Sequence, residues 1–346
     1  MIHLAAYLVP LTAALGLWLG GPWAWLTVAF VYGLVPLADG LAGPDPRNAD
    51  DAALQRAAAS RAATLPLVLA LPVQLGLFAL LGVVWQQEGA GWVERAGWIA
   101  SVALAGGGIG IVVGHELVHR RDRRLYRLGQ ALLGMVLYAH FAVEHVRGHH
   151  ARVGTDEDPA SARRGQGVYA FIPASILRQF ASAWRLEAER LGRAGQGPWT
   201  PRNEVLAGVV AQAAWLGAAA LLFGAEVAAV FVGVALASVC LLEVVNYIEH
   251  YGLRRGRDAQ GRLEPVRAGH SWNSDHPWSR GLLFELPRHT DHHMNAGRPY
   301  QTLRSVAGAP QLPAGYPAMV LLALCPPLWF RVMDPRVAAV EVARAA

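Results

Sequence analysis

Between positions 97 and 119 the chain reads GWIASVALAGGGIGIVVGHELVH. Its first eighteen residues carry no charge, enough for one helix to cross a hydrocarbon core of roughly 30 Å. The run then closes on His115-Glu116-Leu117-Val118-His119, whose two imidazoles stand four residues apart and so share one helical face. An uncharged span that carries two metal-competent side chains to its own end sets the reading of the rest: helices in a membrane, with chemistry at one edge of it.

The same apolar pattern recurs at 2–19, 23–41, 64–85, 205–223 and 227–250. Short connections at Gly20-Gly21-Pro22, 89–95 and 224–226 pair the six spans into three hairpins. The fold class this predicts is an all-α polytopic membrane protein: a single domain over 1–346, with 120–204 and 251–346 forming a cytoplasmic histidine-rich cap for two metals. The segment 2–19 lacks the positive start and small-residue cleavage site of a secretory signal, and therefore reads as a span. Two stretches are shorter or interrupted. The run 125–145 follows four arginines and reads as a helix partly embedded from the cytoplasmic side. The run 317–332 is broken by Pro326-Pro327 and reads as re-entrant or interfacial.

Composition agrees. Of 346 residues 54% are hydrophobic and 16% charged, against roughly 25% charged in soluble chains. That excludes a disordered chain and a disulfide scaffold. The net charge of +5 does not indicate nucleic acid, because all thirty basic residues are arginine and they cluster by loop. Arg47, Arg56 and Arg61 lie in 43–63, fourteen arginines in 120–204 and twelve after 250, while the opposite side holds Arg95. The positive-inside rule then puts both termini in the cytoplasm. Trp18, Trp23, Trp25, Trp85, Trp92 and Trp98 gather at the outer ends, as interfacial aromatic belts do. Cys240 and Cys325 sit in separate apolar runs, so no disulfide framework or CxxC ligand set exists.

Nine of thirteen histidines fall into four groups. After His115 and His119 come His145, His149 and His150 in Glu144-His145-Val146-Arg147-Gly148-His149-His150. His250 follows Glu249 at the end of the last span, and His289, His292 and His293 lie in His289-Thr290-Asp291-His292-His293. On a regular helix His145 and His149 would share one face and His150 would reach a second ion. His115–His119 alone matches the HExxH zinc-protease pattern, but one zinc needs only three or four protein ligands. Nine imidazoles suit two ions, and imidazole accepts iron, zinc, copper or nickel alike. His3, His140, His270 and His276 lack such partners and read as hydrogen-bonded core or interface residues. Each group also has an adjacent carboxylate: Glu116, Glu144, Glu249 and Asp291. Four negative charges would balance two divalent ions, and each carboxylate, pointing away from its own metal, is expected to accept the N–H of a histidine on a neighbouring element.

These signatures resemble those of the bacterial membrane alkane 1-monooxygenase family, within the fatty-acid-desaturase superfamily of histidine-rich di-iron enzymes. Asn246-Tyr247-Ile248-Glu249-His250-Tyr251-Gly252-Leu253 and Leu286-Pro287-Arg288-His289-Thr290-Asp291-His292-His293 are the most specific, and Trp184-Arg185-Leu186-Glu187-Ala188 and Met333-Asp334-Pro335 agree. Pro287 stands where Gln is common and Arg120 where Lys is, and neither change removes a ligand. The resemblance implies that the nine histidines bind two irons, with neither haem nor flavin. It implies terminal hydroxylation of medium- or long-chain n-alkanes to 1-alkanols by O2 in the bacterial inner membrane. Electrons would pass from rubredoxin reductase through rubredoxin.

Competing readings are an aromatic-methyl (xylene-type) hydroxylase, a lipid desaturase and, from another class, a membrane metal transporter. Desaturases usually space the second group HxxHH, whereas here it is HxxxHH. A transporter would place ionisable ligands near the bilayer midplane, where these spans have almost none. An alkane would enter from the lipid, and the mix of small and large residues in Ala29-Phe30-Val31-Tyr32-Gly33 marks Ala29 and Val31 as candidate channel residues. Arg152, Arg163, Arg164, Arg254, Arg255 and Arg257 are candidates for docking an acidic rubredoxin.

Overall fold

The computed structural model describes residues 2–345, which form helices and no strand beyond two isolated bridges, Arg257 with Leu263 and Asn273 with Gln311. After a 3-10 turn at Ile2–Tyr7, α1 (Leu8–Leu19) packs against the membrane core. Then come α2 (Gly21–Ala42), the short α3 (Asp51–Ala59), α4 (Arg61–Trp85) and α5 (Trp92–Val118). On the far side of α5 lie α6 (Arg123–Met135), α7 (141–152) and α8 (Val168–Gly192). The second long hairpin is α9 (Glu204–Phe223) and α10 (Ala225–His250). Short α11 (Pro277–Leu282) and α12 (His289–Met294) precede α13 (Tyr316–Ala323) and α14 (Pro326–Ala345).

Five helices, α2, α4, α5, α9 and α10, are long and apolar enough to cross a membrane. Their ends fall within five residues of the predicted spans, because the uncharged windows that define a span also define the helix. The segment predicted as the first span is apolar but shorter, as His3–Leu19. At the C-terminal end, α13 and α14 meet at 118° around the break before Pro326-Pro327, the bend expected where prolines remove helical donors. The run 125–145 is not one helix. It stops at Met135, turns through Leu137 at φ 57°, and restarts at Phe141.

Burial follows the membrane logic: α9 shows most of its surface, whereas α5 is enclosed. Gly114 of α5 and Gly129 of α6 face each other, and a Cβ on Gly129 would stand 2.9 Å from the Gly114 carbonyl oxygen, so these helices cross at backbone contact. The link between span and cap is Asp39, buried near the C-terminal end of α2. It accepts the Trp278 amide (2.9 Å) and the Ser279 hydroxyl (2.5 Å), which anchors the first turn of α11. Charge-assisted bonds of this kind are each worth about 1.5–3 kcal/mol.

Candidate metal centre

All nine grouped histidines converge. Nitrogen atoms of His115, His119, His145, His150 and His292 lie within 4.8 Å of one another, and so do those of His149, His250, His289 and His293. His3, His140, His270 and His276 stand outside both sets.

The partition follows from local backbone geometry. His115 and His119 stay together because the end of α5 is regular. In α7, however, His145–His149 is a π-helical turn, closed by the His150 amide donating to the His145 carbonyl. A π turn brings residues five apart onto one face. His145 therefore pairs with His150, with their Nε2 atoms 3.0 Å apart, and His149 swings to the other set. The expected His145–His149 pairing on one ion is corrected by this single extra residue in the turn. Gly148 leaves room at the same place for the Glu144–Arg152 pair, which a Cβ there would displace. α12 divides similarly: His289 and His293 serve one set and His292 the other.

The separations suit a metal. His115 and His292, and His150 and His292, have Nε2 atoms 3.0 Å apart, and His289 and His293 2.9 Å. Two nitrogens bound at about 2.1 Å and a right angle stand about 3.0 Å apart. His150 faces two such neighbours at once, which one shared proton cannot satisfy, and the buried Nε2 of His119 has no partner. Burial first, then mutual repulsion, pushes His145, His150, His289, His292 and His293 well below the usual imidazole range. Neutral rings keep the lone pairs a metal needs.

The adjacent carboxylates do otherwise than expected. Glu116 takes the Arg120 guanidinium and the Tyr300 amide (3.2 Å). Glu144 takes Arg152 (2.7 Å), and burial lifts its carboxyl to about 6. Asp291 takes Arg298 and the Arg304 amide. None of these three accepts a histidine N–H. Sequence neighbours of a ligand point away from the site, and here they meet arginines of the cap. Glu249 differs: its Oε2 lies 3.3 Å from the Nε2 of His289 while Tyr316 donates to its other oxygen at 2.8 Å. The carboxylate that does hold a ligand is Asp158, which the sequence reading missed. It accepts from His149 Nδ1 (3.0 Å) and from the Ser161 hydroxyl (2.6 Å). Burial alone would raise its carboxyl, but these partners bring it down to about 2. The available signal was the acid run Asp156-Glu157-Asp158 soon after His150, in which only Asp158 is buried.

Arg147, inside the π turn, pairs with the fully buried Glu187 of α8 (2.7 Å). That pair fixes the turn to a second helix and gives the Trp184–Ala188 motif a structural purpose.

An apolar cavity of about 90 Å³ runs between α2, α5, α10 and α13. Val31, Tyr32, Gly107, Gly108, Leu241 and Tyr316 are among its walls. Val112 and Leu286 also border a small pocket touching His115, Glu116 and His292, so the cavity and the five-histidine set lie on two sides of the same two side chains. Of the two channel candidates, Val31 lines this cavity. Ala29 does not: it is exposed beside Trp23 and Trp25. The docking candidates are partly engaged. Arg152 holds Glu144, Arg255 holds the Glu264 carbonyl, and Arg164 pairs with Glu341. Arg163, Arg254 and Arg257 lie near Asp156 or Glu157 at 3.2–3.9 Å.

The profile of the family described as Fatty acid desaturase matches residues 90–323, which include all nine histidines. The chain belongs to that family. Its relatives include alkane 1-monooxygenase 2 of Pseudomonas aeruginosa, 44% identical over 92% of this chain and 85% of the relative. Alkane 1-monooxygenase 2 of Alcanivorax borkumensis is 39% identical over 96% and 88%. The xylene/toluene monooxygenase hydroxylase component of Pseudomonas putida is 31% identical over 96% and 88%. Within the desaturase family this chain thus stands nearer to these alkane monooxygenases than to the aromatic hydroxylase.

Proposed function

We propose that the protein is a di-iron alkane 1-monooxygenase of the bacterial inner membrane, with both termini cytoplasmic. It would hydroxylate the terminal methyl of medium- or long-chain n-alkanes with O2 and rubredoxin-delivered electrons. The observation that carries this reading is the convergence of nine imidazoles beside an apolar cavity between membrane helices, with Val112 and Leu286 between the cavity and the pocket at His115 and His292. His115, His119, His145, His150 and His292 would hold one iron, and His149, His250, His289 and His293 the other. When bound, the metal pair supplies the redox chemistry with O2. The chain supplies position. A terminal C–H is stronger than its methylene neighbours, so terminal selectivity must come from how the cavity presents the chain end. The cavity walls would admit an alkane from lipid without an aqueous step. Rubredoxin would dock on the arginine-bearing surface, with Arg163, Arg254 and Arg257 steering an acidic partner.

The test is product analysis with purified protein, rubredoxin, rubredoxin reductase, NADH, O2 and a ladder of n-alkanes, alongside metal analysis. Expected are 1-alkanols and about two irons per chain. Alkenes, or turnover of xylene in preference to every alkane, would reject the reading.

A further inference from the structure

α8 is too polar to be a span, yet one of its faces is a continuous apolar stripe. Tyr169, Pro173, Leu177, Phe180 and Trp184 recur at steps of four, four, three and four, the spacing of a single helical face. The stripe is uncovered: Leu177 is 71% exposed, Tyr169 61% and Phe180 41%. It covers about 22 Å of helix at 1.5 Å per residue. The opposite face is polar and holds the metal-binding segment, through Gln179 to Glu243 (2.8 Å) and Ser182 to Arg152 (2.7 Å), and one turn past the end of the stripe the buried Glu187 reaches Arg147 (2.7 Å).

The depth of α8 sets what meets that stripe. Gln179 touches α10 at Glu243, seven residues before His250 on the same helix, hence about 10 Å further into the span than the metal-site end. Phe171 packs on Tyr247, one turn before His250 (ring centroids 5.5 Å). The stripe is also continuous with apolar membrane elements at both ends. Tyr169 donates to the Leu324 carbonyl in the break between α13 and α14 (2.7 Å), and Trp184 packs at a tilt against the exposed Trp199 just before α9 begins (ring centroids 5.0 Å). Along one border of the stripe stand the exposed Arg178 and Arg185. Arg178 binds the Asp156 carbonyl, and Arg185 has no hydrogen-bond or ion-pair partner among the described residues.

We infer that α8 lies in the plane of the membrane, in the leaflet on the metal-site side, with Tyr169, Leu177, Phe180 and Trp184 in the acyl region and Arg178 and Arg185 on lipid phosphates. An apolar face with aromatic ends and a basic border is the pattern of an interfacial helix. The predicted cap over 120–204 is then divided, with α8 in lipid and Arg163 and Arg164 in water. Because α8 also grips the π turn through Glu187, the bilayer forms part of the support of the metal site.

The test uses metal-loaded protein in vesicles of phosphatidylcholine with phosphatidylglycerol, with Cys240 and Cys325 replaced by Ala. Bimane is attached at Leu177→Cys and, separately, at Phe180→Cys. Leu221→Cys on the exposed surface of α9 and Arg257→Cys in the cap serve as references. Brominated lipid is expected to quench Leu177 and Phe180 labels severalfold more than aqueous iodide does, as at Leu221, with the reverse at Arg257. Iodide-dominated quenching would place the stripe in water and overturn the inference. Labels reached by neither quencher would overturn it too, by showing a protein cover such as a second copy. For the headgroup contact, thermal unfolding is compared in vesicles with and without phosphatidylglycerol. The stabilisation by anionic lipid should shrink at least by half in the Arg178→Gln/Arg185→Gln double variant. An unchanged lipid effect would remove the phosphate contact from the proposal.

Discussion

The two histidine sets differ in number and in what stands behind them. The set of His115, His119, His145, His150 and His292 has five imidazoles, borders a small pocket beside the apolar cavity, and has the carboxylate in that pocket, Glu116, turned to Arg120 and Tyr300. The set of His149, His250, His289 and His293 has four, and it keeps two carboxylates: Asp158 on His149, and Glu249 at 3.3 Å from His289. Charge compensation is therefore lopsided. One set is rich in neutral nitrogen and lies beside a small pocket, while the other is poorer in nitrogen and keeps the ionised carboxylate of Asp158 on His149. Such an arrangement favours unequal ions, with the carboxylate-backed one held more tightly against loss of a single ligand.

The largest expected effect separates the sets outright. His150→Ala removes a member of the five, and His293→Ala a member of the four. Each should reduce activity more than about 100-fold, yet each should leave close to one of two metal equivalents, measured on purified protein by elemental analysis. If either variant loses both metals together, the sets are one cooperative unit and the contrast between them disappears.

The carboxylates give the next test. Asp158→Asn retains the shape but weakens the acceptor behind His149, and loss of such a partner commonly costs roughly 10–100-fold in metal affinity. Chelator competition should show that loss for one equivalent only. Glu116→Gln, whose carboxylate binds an arginine and an amide, should change affinity far less. Equal losses in both variants would restore the expectation that Glu116 supports a histidine ligand.

Much of this was legible before the fold. The spans were, because a window such as 97–114 without a charge has few soluble alternatives. The nine histidines were, because their spacings bring nitrogens onto shared faces. Their partition was not, since a π turn at His145–His149 changes which residues align without any mark in composition. Three of the four carboxylates were misassigned for a related reason: pointing away from their own metal did not bring them to a histidine on a neighbouring element. Glu116, Glu144 and Asp291 face arginines, and Asp158 reaches His149 from the following loop.

The π turn itself can be loosened without touching a ligand. Glu187→Gln breaks the buried pairing with Arg147, and removal of one partner from a buried ion pair costs about 3–5 kcal/mol. Arg147 is 31% exposed, so water recovers part of that, and the low end of the range is expected. Thermal unfolding of the metal-free protein should show it. On metal loading, metal retention in the set of His149 should suffer as much as in the set of His145, because both residues stand on the turn. A stability loss with unaltered metal retention in both sets would make Arg147–Glu187 a scaffold contact only.

The smallest effect falls on substrate length, and the cavity shares wall residues only with the pocket of the five-histidine set. Val31 lines that cavity and Ala29 does not, although they are two residues apart. The π-helical turn at Phe30–Leu34 rotates this part of α2 relative to a regular helix, so sequence spacing could not rank them. In Val31→Trp the added ring occupies space otherwise open to the alkyl chain. Burial of one methylene is worth about 0.8 kcal/mol, so each carbon displaced should cost roughly fourfold in kcat/KM. The product profile should move to shorter alkanes while both metals stay bound. Ala29→Trp, exposed beside Trp23 and Trp25, should leave the profile unchanged. Chromatography of alcohols formed from a mixed alkane ladder reads both variants in one experiment. A shift in Ala29→Trp with none in Val31→Trp would move the substrate path off the cavity, and with it the assignment of the five-histidine set as the one that faces the alkane.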